Sequence, residues 1–152
     1  MRELRIHHFF DMIRDYGAGK TLREHPYGHS FHLIAGEIYE NKIKRLKLII
    51  RNDDVCENCR MLESGSCTDS IDHRSDFTSK EAFNNFLDGR IMKVMAYESG
   101  QIVEVKEIIR NAGKYLDQIF DIYAGNDVAH TTLRKEHVSS GIGKKKRELQ
   151  ID

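Results

Sequence analysis

The chain has 152 residues, 39% of them apolar and 32% charged, which suits a folded unit with its own core and excludes a disordered chain. Lysine plus arginine number 24 and aspartate plus glutamate also 24, so no net field draws the chain to nucleic acid or to an anionic membrane. No run approaches the roughly 18 apolar residues that span a bilayer. The opening MRELRIHHFFDMIRDYG is broken by charges and does not read as a secretory leader, so a cytoplasmic protein is expected.

Residues 7–16 read as a short helix with Phe9, Phe10, Met12 and Ile13 on it, stopped by Gly17-Ala18-Gly19. From His29 to Ile43 the apolar positions Phe31, Ile34, Ala35, Ile38 and Tyr39 recur at three and four, the spacing of a second helix with one buried face. In 45–51, RLKLIIR, alternation of Leu46, Leu48 and Ile50 with charged residues predicts a half-buried strand. Residues 52–77 are expected to be irregular, with turns at Asp53-Asp54 and Gly65-Ser66.

Thr78-Ser79-Lys80-Glu81 fits a capping box, and the helix it opens should run to Ser99-Gly100. Val105, Ile108, Ile109, Ala112, Tyr115, Leu116, Ile119 and Tyr123 mark one long amphipathic helix with Gly125 as its stop. Beyond Asn126 the pattern fades, and 139–147, SSGIGKKKR, reads as a mobile basic tail. The expected architecture is α+β and mostly helical: about four helices and one or two short strands around an irregular cysteine-rich loop. A globular part at 1–126 would be followed by a partly mobile extension at 127–152.

All three cysteines fall within twelve residues as Cys56-x2-Cys59-x7-Cys67. An odd number of clustered cysteines in a reducing compartment argues against a disulfide framework. The two-residue gap between Cys56 and Cys59 lets a tight turn present two thiolates to one centre. Asp54, Glu57, Asn58, Arg60 and Ser66 make the surroundings too polar for buried thiols that merely pack. Three cysteines leave one ligand open, for which His73, Asp11, His7 and His8 are the candidates. His73 would close a local Cys3His zinc site. Adjacent His7 and His8 on one helix point about 100° apart, so the two are not expected to reach one ion.

Several landmarks in order resemble a family of small prokaryotic proteins, domain of unknown function 1284, regarded as iron–sulfur binding. They are Ile6-His7-His8-Phe9-Phe10-Asp11, Gly17 and Gly19, the segment Tyr27 to Phe31, Asp53-Asp54-Val55-Cys56-Glu57-Asn58-Cys59, Gly65-Ser66-Cys67, Asp88-Gly89-Arg90-Ile91-Met92 and Gly100. The resemblance covers roughly residues 5 to 105. Family members carry a cysteine just after the histidine pair, where this chain has Asp11, so the resemblance implies a cluster with Asp11 in place of the fourth thiolate, or a member that has kept zinc instead.

Three other signals are discounted. Gly17-Ala18-Gly19-Lys20-Thr21 imitates a phosphate loop, but its earlier glycine is Arg14 and the segment before it reads helical. His25, His29 and His32 read as a polar helix surface, and Lys144-Lys145-Lys146-Arg147 as a solvated tail. No Gly-x-Ser-x-Gly elbow or His-Glu-x-x-His helix appears.

The sequence thus predicts an iron–sulfur protein with a redox or electron-transfer role. A structural zinc domain that mediates protein contacts is the first alternative. A metal-dependent enzyme with an open coordination position and an unknown small-molecule substrate is the second.

Overall fold

The computed structural model of the protein describes residues 1–152 and is α+β, mainly helical. Its first strand β1 (Glu3–Leu4) feeds helix α1 (Ile6–Gly17), which buries Ile6, His7, Phe9, Phe10, Met12, Ile13 and Asp15. Because these residues face almost every direction around the helix, α1 sits at the centre of the core and not on its surface. Helix α2 (Phe31–Tyr39) is shorter than the 29–43 expected: Asn41, at φ 60°, turns the chain left-handed just past its end.

Strand β2 (Arg45–Leu48) pairs parallel with β1 and antiparallel with β5 (Ile102–Glu104), giving the order β1-β2-β5. The expected strand at 45–51 stops at Leu48, because its partner β1 ends at Leu4, where the Ile49 amide makes the last bond of the parallel ladder at 3.1 Å. Residues 54–77 contain a single 3-10 turn, Asp54–Cys56, and a hairpin of β3 (Leu62–Glu63) and β4 (Ser66–Cys67). Ser64 and Gly65, at φ 50° and 80°, supply the two left-handed residues that a two-residue hairpin turn needs.

Helix α3 (Lys80–Met95) is capped by Ser79, whose Oγ accepts from the Ala82 amide at 3.2 Å, and it ends at left-handed Ala96. The expected capping box therefore does not form. Glu81 is drawn inwards instead, to the Arg5 guanidinium and the Cys67 amide, both at 3.1 Å. The single helix expected over 105–123 is three pieces, α4 (Val105–Asn111), α5 (Gly113–Asp117) and α6 (Ile119–Ile122), which bend around the core. The bends bury Ile108, Ile109, Tyr115, Ile119 and Tyr123 together, and Tyr115 stacks on Phe10 with ring centroids 3.8 Å apart.

The largest departure lies at the C-terminus. Residues expected to be a partly mobile extension form helix α7 (Val128–Leu149), the longest in the chain, capped by the Asp127 carboxylate and packed along α1. Its inward face is Thr131, Val138, Gly141, Ile142 and Lys145, a helical stripe too poor in large apolar side chains to show in hydropathy. Lys145, 0% exposed, donates through Nζ to the carbonyls of Ile38 (2.8 Å) and Tyr39 (2.9 Å) and to Asn41 Oδ1 (3.0 Å). The basic cluster thus caps the end of α2 with one of its lysines.

Helices α1 and α7 approach through glycine. A Cβ on Gly141 would stand 2.1 Å from the Ile13 carbonyl oxygen, and one on Gly17 1.9 Å from that of His137. The obstacle in both cases is backbone, which cannot step aside as a side-chain end could. Gly141→Ala is therefore expected to destabilise the protein by about 3 kcal/mol, at the top of the usual overpacking range, read by denaturant unfolding. A change below about 0.5 kcal/mol would contradict this packing. No helix is long and apolar enough to cross a membrane.

Candidate metal centre

Arg5 precedes α1 and is buried to 1% exposure. Its guanidinium donates to Asp88 Oδ2 at 2.8 Å, to Asn85 Oδ1 at 2.9 Å and to Glu81. Asp88, 0% exposed on α3, also accepts from the His7 backbone amide at 3.0 Å and pairs with His7 Nδ1 at 2.8 Å. One turn-opening aspartate does the same for the neighbouring ring. Asp53 pairs with His8 Nδ1 at 2.8 Å, accepts from the Arg5 amide at 2.7 Å and caps the 3-10 turn through the Val55 amide. The other oxygen of Asp53 lies 3.6 Å from Cys56 Sγ.

Each histidine thus meets a buried carboxylate with Nδ1. In the neutral ring, an Nδ1–H donated to a carboxylate leaves the lone pair on Nε2, the orientation found in metal-ligating histidines. The two rings stand side by side, with centroids 4.2 Å apart. The ring planes are tilted 46° to each other, one held by Asp88 of α3 and the other by Asp53 of the cysteine loop.

Burial opposes the charge on these groups, and the ion pairs prevail. Asp53 and Asp88 titrate below the usual aspartate range because of His8 and His7 respectively, and His8 above the usual histidine range because of Asp53. Burial and the adjacent Asp53 carboxylate push the Cys56 thiol up to about 12, the reverse of an activated nucleophile. Asp11 is engaged elsewhere. Its Oδ1 accepts from Arg134 at 2.5 Å and from Arg14 at 3.4 Å, and against the penalty of burial these guanidiniums hold its carboxyl well below the usual range.

The cysteines are half-buried and free. Cys56 and Cys59 share a turn in which the Cys59 amide bonds to the Cys56 carbonyl at 3.0 Å, and Cys67 lies in β4, where Glu81 takes its amide. The Tyr27–Ser30 segment backs this loop: the Arg60 amide bonds to the Tyr27 carbonyl at 2.9 Å and the Ser30 amide to that of Val55 at 2.8 Å.

All seven residues marked by the sequence, His7, His8, Asp11, Cys56, Cys59, Cys67 and His73, line one cavity of about 1040 Å³. They share its wall without converging, since no three His, Cys, Asp or Glu side chains lie close enough together to hold a single metal ion. His73 is exposed and packs edge-on against Phe83.

Asp53 and Asp88 stood among the landmarks of the resemblance, but sequence reasoning missed that they orient the histidines. Asp88 left a trace, an acid one turn from Asn84 among the apolar positions Phe83, Leu87 and Ile91 of a helix. Sequence reasoning also read His25, His29 and His32 as a polar helix surface; His25 is exposed, but only His32 lies on a helix, and all three line the same cavity. Comparison with family models, with curated proteins and with solved structures finds no match.

Proposed function

We propose that the protein holds an iron–sulfur cluster on Cys56, Cys59 and Cys67, with His8 as the fourth ligand, for electron transfer or redox sensing in the cytoplasm. The observation that carries this reading is the pair of rings, His7 and His8, whose Nδ1 atoms are held by buried carboxylates, so that Nε2 is the nitrogen left for a metal on a cavity wall that also bears every cysteine of the chain. His8 is favoured because Asp53 touches both it and Cys56, whereas Asp11 already serves two arginines. A cluster supplies one-electron chemistry, and the chain's part is to orient the ligands and set the polarity around them.

One further feature supports the reading. The landmarks behind the family resemblance are bonded to one another, His7 to Asp88 and His8 to Asp53, and Asp53 in turn meets Cys56. Structural zinc is the second reading, favoured by the placement of Cys67 in a tight hairpin just after the Cys56-x2-Cys59 turn, with His73 to close the site.

Cys59→Ser tests the cluster. Loss of iron and sulfide together with retained helical circular dichroism is the expected outcome, because Cys59 is half-buried in a loop and carries none of the core. Full metal content in that variant would remove Cys59 from the centre.

A further inference from the structure

The same cavity has a second wall with different chemistry. His25 Nδ1 accepts from the Tyr27 amide at 3.1 Å and His29 Nδ1 from the Phe31 amide at 3.4 Å. A ring nitrogen that accepts carries no proton, so the neutral rings of His25 and His29 hold theirs on Nε2. This is the reverse of His7 and His8. The two rings stack with centroids 4.4 Å apart, and each has a free N–H where a metal would need a lone pair.

The buried nitrogens around the cavity point the same way. Only four buried side-chain nitrogens or oxygens in the chain lack a partner, and three of them belong to cavity residues: Arg5 Nε, His32 Nδ1 and Arg134 Nε. Buried polar groups are normally satisfied, and the two arginine atoms are obligate donors. Of the six acids on the wall, Asp127 caps α7 and Glu24 alone has no bonded partner. Asp11, Asp15, Asp69 and Glu81 are already bonded to Arg134, Arg14, Lys80 and Arg5 respectively. A cavity of about 1040 Å³ is at the upper end of small-molecule sites.

We propose that this wall binds a small organic oxyanion, a carboxylate or a phosphate ester, through the Nε2–H groups of His25 and His29 and the Nε–H of Arg134. The inference rests on the metal-centre reading only for what the bound molecule would meet at the cysteine end of the cavity, and not for its own binding chemistry. The anion's oxygens accept from donors that otherwise have no partner, and Arg134 keeps its contact with Asp11 throughout.

The test is calorimetric titration of the full-length protein, with its metal content measured on the same sample, using citrate, succinate and glycerol 3-phosphate, and succinamide and glycerol as uncharged controls. Saturable binding of at least one anion with Kd below about 1 mM, and none of the controls, is expected. In the double variant His25→Phe/His29→Phe that affinity should fall at least about tenfold, the worth of one hydrogen bond to a charged group, with melting temperature and metal content unchanged. Arg134→Lys, which keeps the charge opposite Asp11 and removes the Nε donor, should also weaken it. Binding of the two carboxylates alone or of the phosphate ester alone identifies which group the wall selects.

Absence of any anion binding, undiminished binding in the histidine double variant, or loss of metal from that variant would each overturn the proposal, the last by making these histidines ligands. A wild-type protein without metal that still shows histidine-dependent anion binding would leave this proposal standing and remove the cluster.

Discussion

Asp88→Ala is expected to destabilise the protein by about 3–5 kcal/mol near neutral pH, the cost of leaving one partner of a buried ion pair uncompensated. Arg5 is 1% exposed and could not turn to water without opening the core. Its remaining acidic partner, Glu81, is also the acceptor for the Cys67 amide. The variant would in addition strand the backbone amide and the Nδ1 of His7, both held by Asp88 Oδ1. Denaturant unfolding measures the loss, and a value near zero would show that the network contributes nothing net.

The pH dependence has a definite sign. The Asp88 carboxyl titrates below its unfolded range, so it stabilises the fold above about pH 4, and that contribution fades as pH falls through the folded value. Asp53 and Asp11 act in the same direction. Acid should therefore unfold the wild type through these three carboxylates, and the stability of Asp88→Ala should vary less with pH in the acid range.

Asp53→Asn is expected to weaken metal binding by about 10–100-fold, the usual effect of removing a partner that orients a ligating histidine. The asparagine carbonyl can still cap the Asp54–Cys56 turn, but its amide would face His8 Nδ1. An amide donates, so Nδ1 would have to accept and the proton would move to Nε2, the atom needed for the metal. Competition against a chromophoric chelator reads the affinity. His8→Ala should lose a similar factor, and the double variant little more, because both changes act through the same nitrogen. Full affinity in Asp53→Asn and in His8→Ala would remove His8 from the centre.

Large apolar periodicity made α1, α2, α3 and β2 legible in the sequence, with ends that shifted where tertiary contacts intervened. Glu81 was claimed by Arg5 and not by its own helix terminus, and α2 ends where Asn41 turns left-handed and Lys145 takes its last carbonyls. Helix α7 was not legible because only Val138 and Ile142 of its buried stripe are large and apolar, the rest being Thr131, Gly141 and Lys145. The close approach at Gly17 and Gly141 is a tertiary property that no local window contains.

At the candidate centre the cysteine spacing and the histidine pair were visible, and the structure places all of them on one cavity. What the sequence hid is the layer behind them. Asp53 and Asp88 are 45 and 81 residues from the histidines they orient. The opposite tautomers of His8 and His29 depend on whether Nδ1 meets a carboxylate or a backbone amide. Residue type alone carries neither fact.

The most direct measurement is iron, zinc and acid-labile sulfide analysis with a visible absorption spectrum on protein purified without oxygen. The proposed centre predicts iron and sulfide in comparable amounts with charge-transfer absorption, both lost in Cys59→Ser. A colourless protein holding one zinc per chain, or no metal at all, would contradict it.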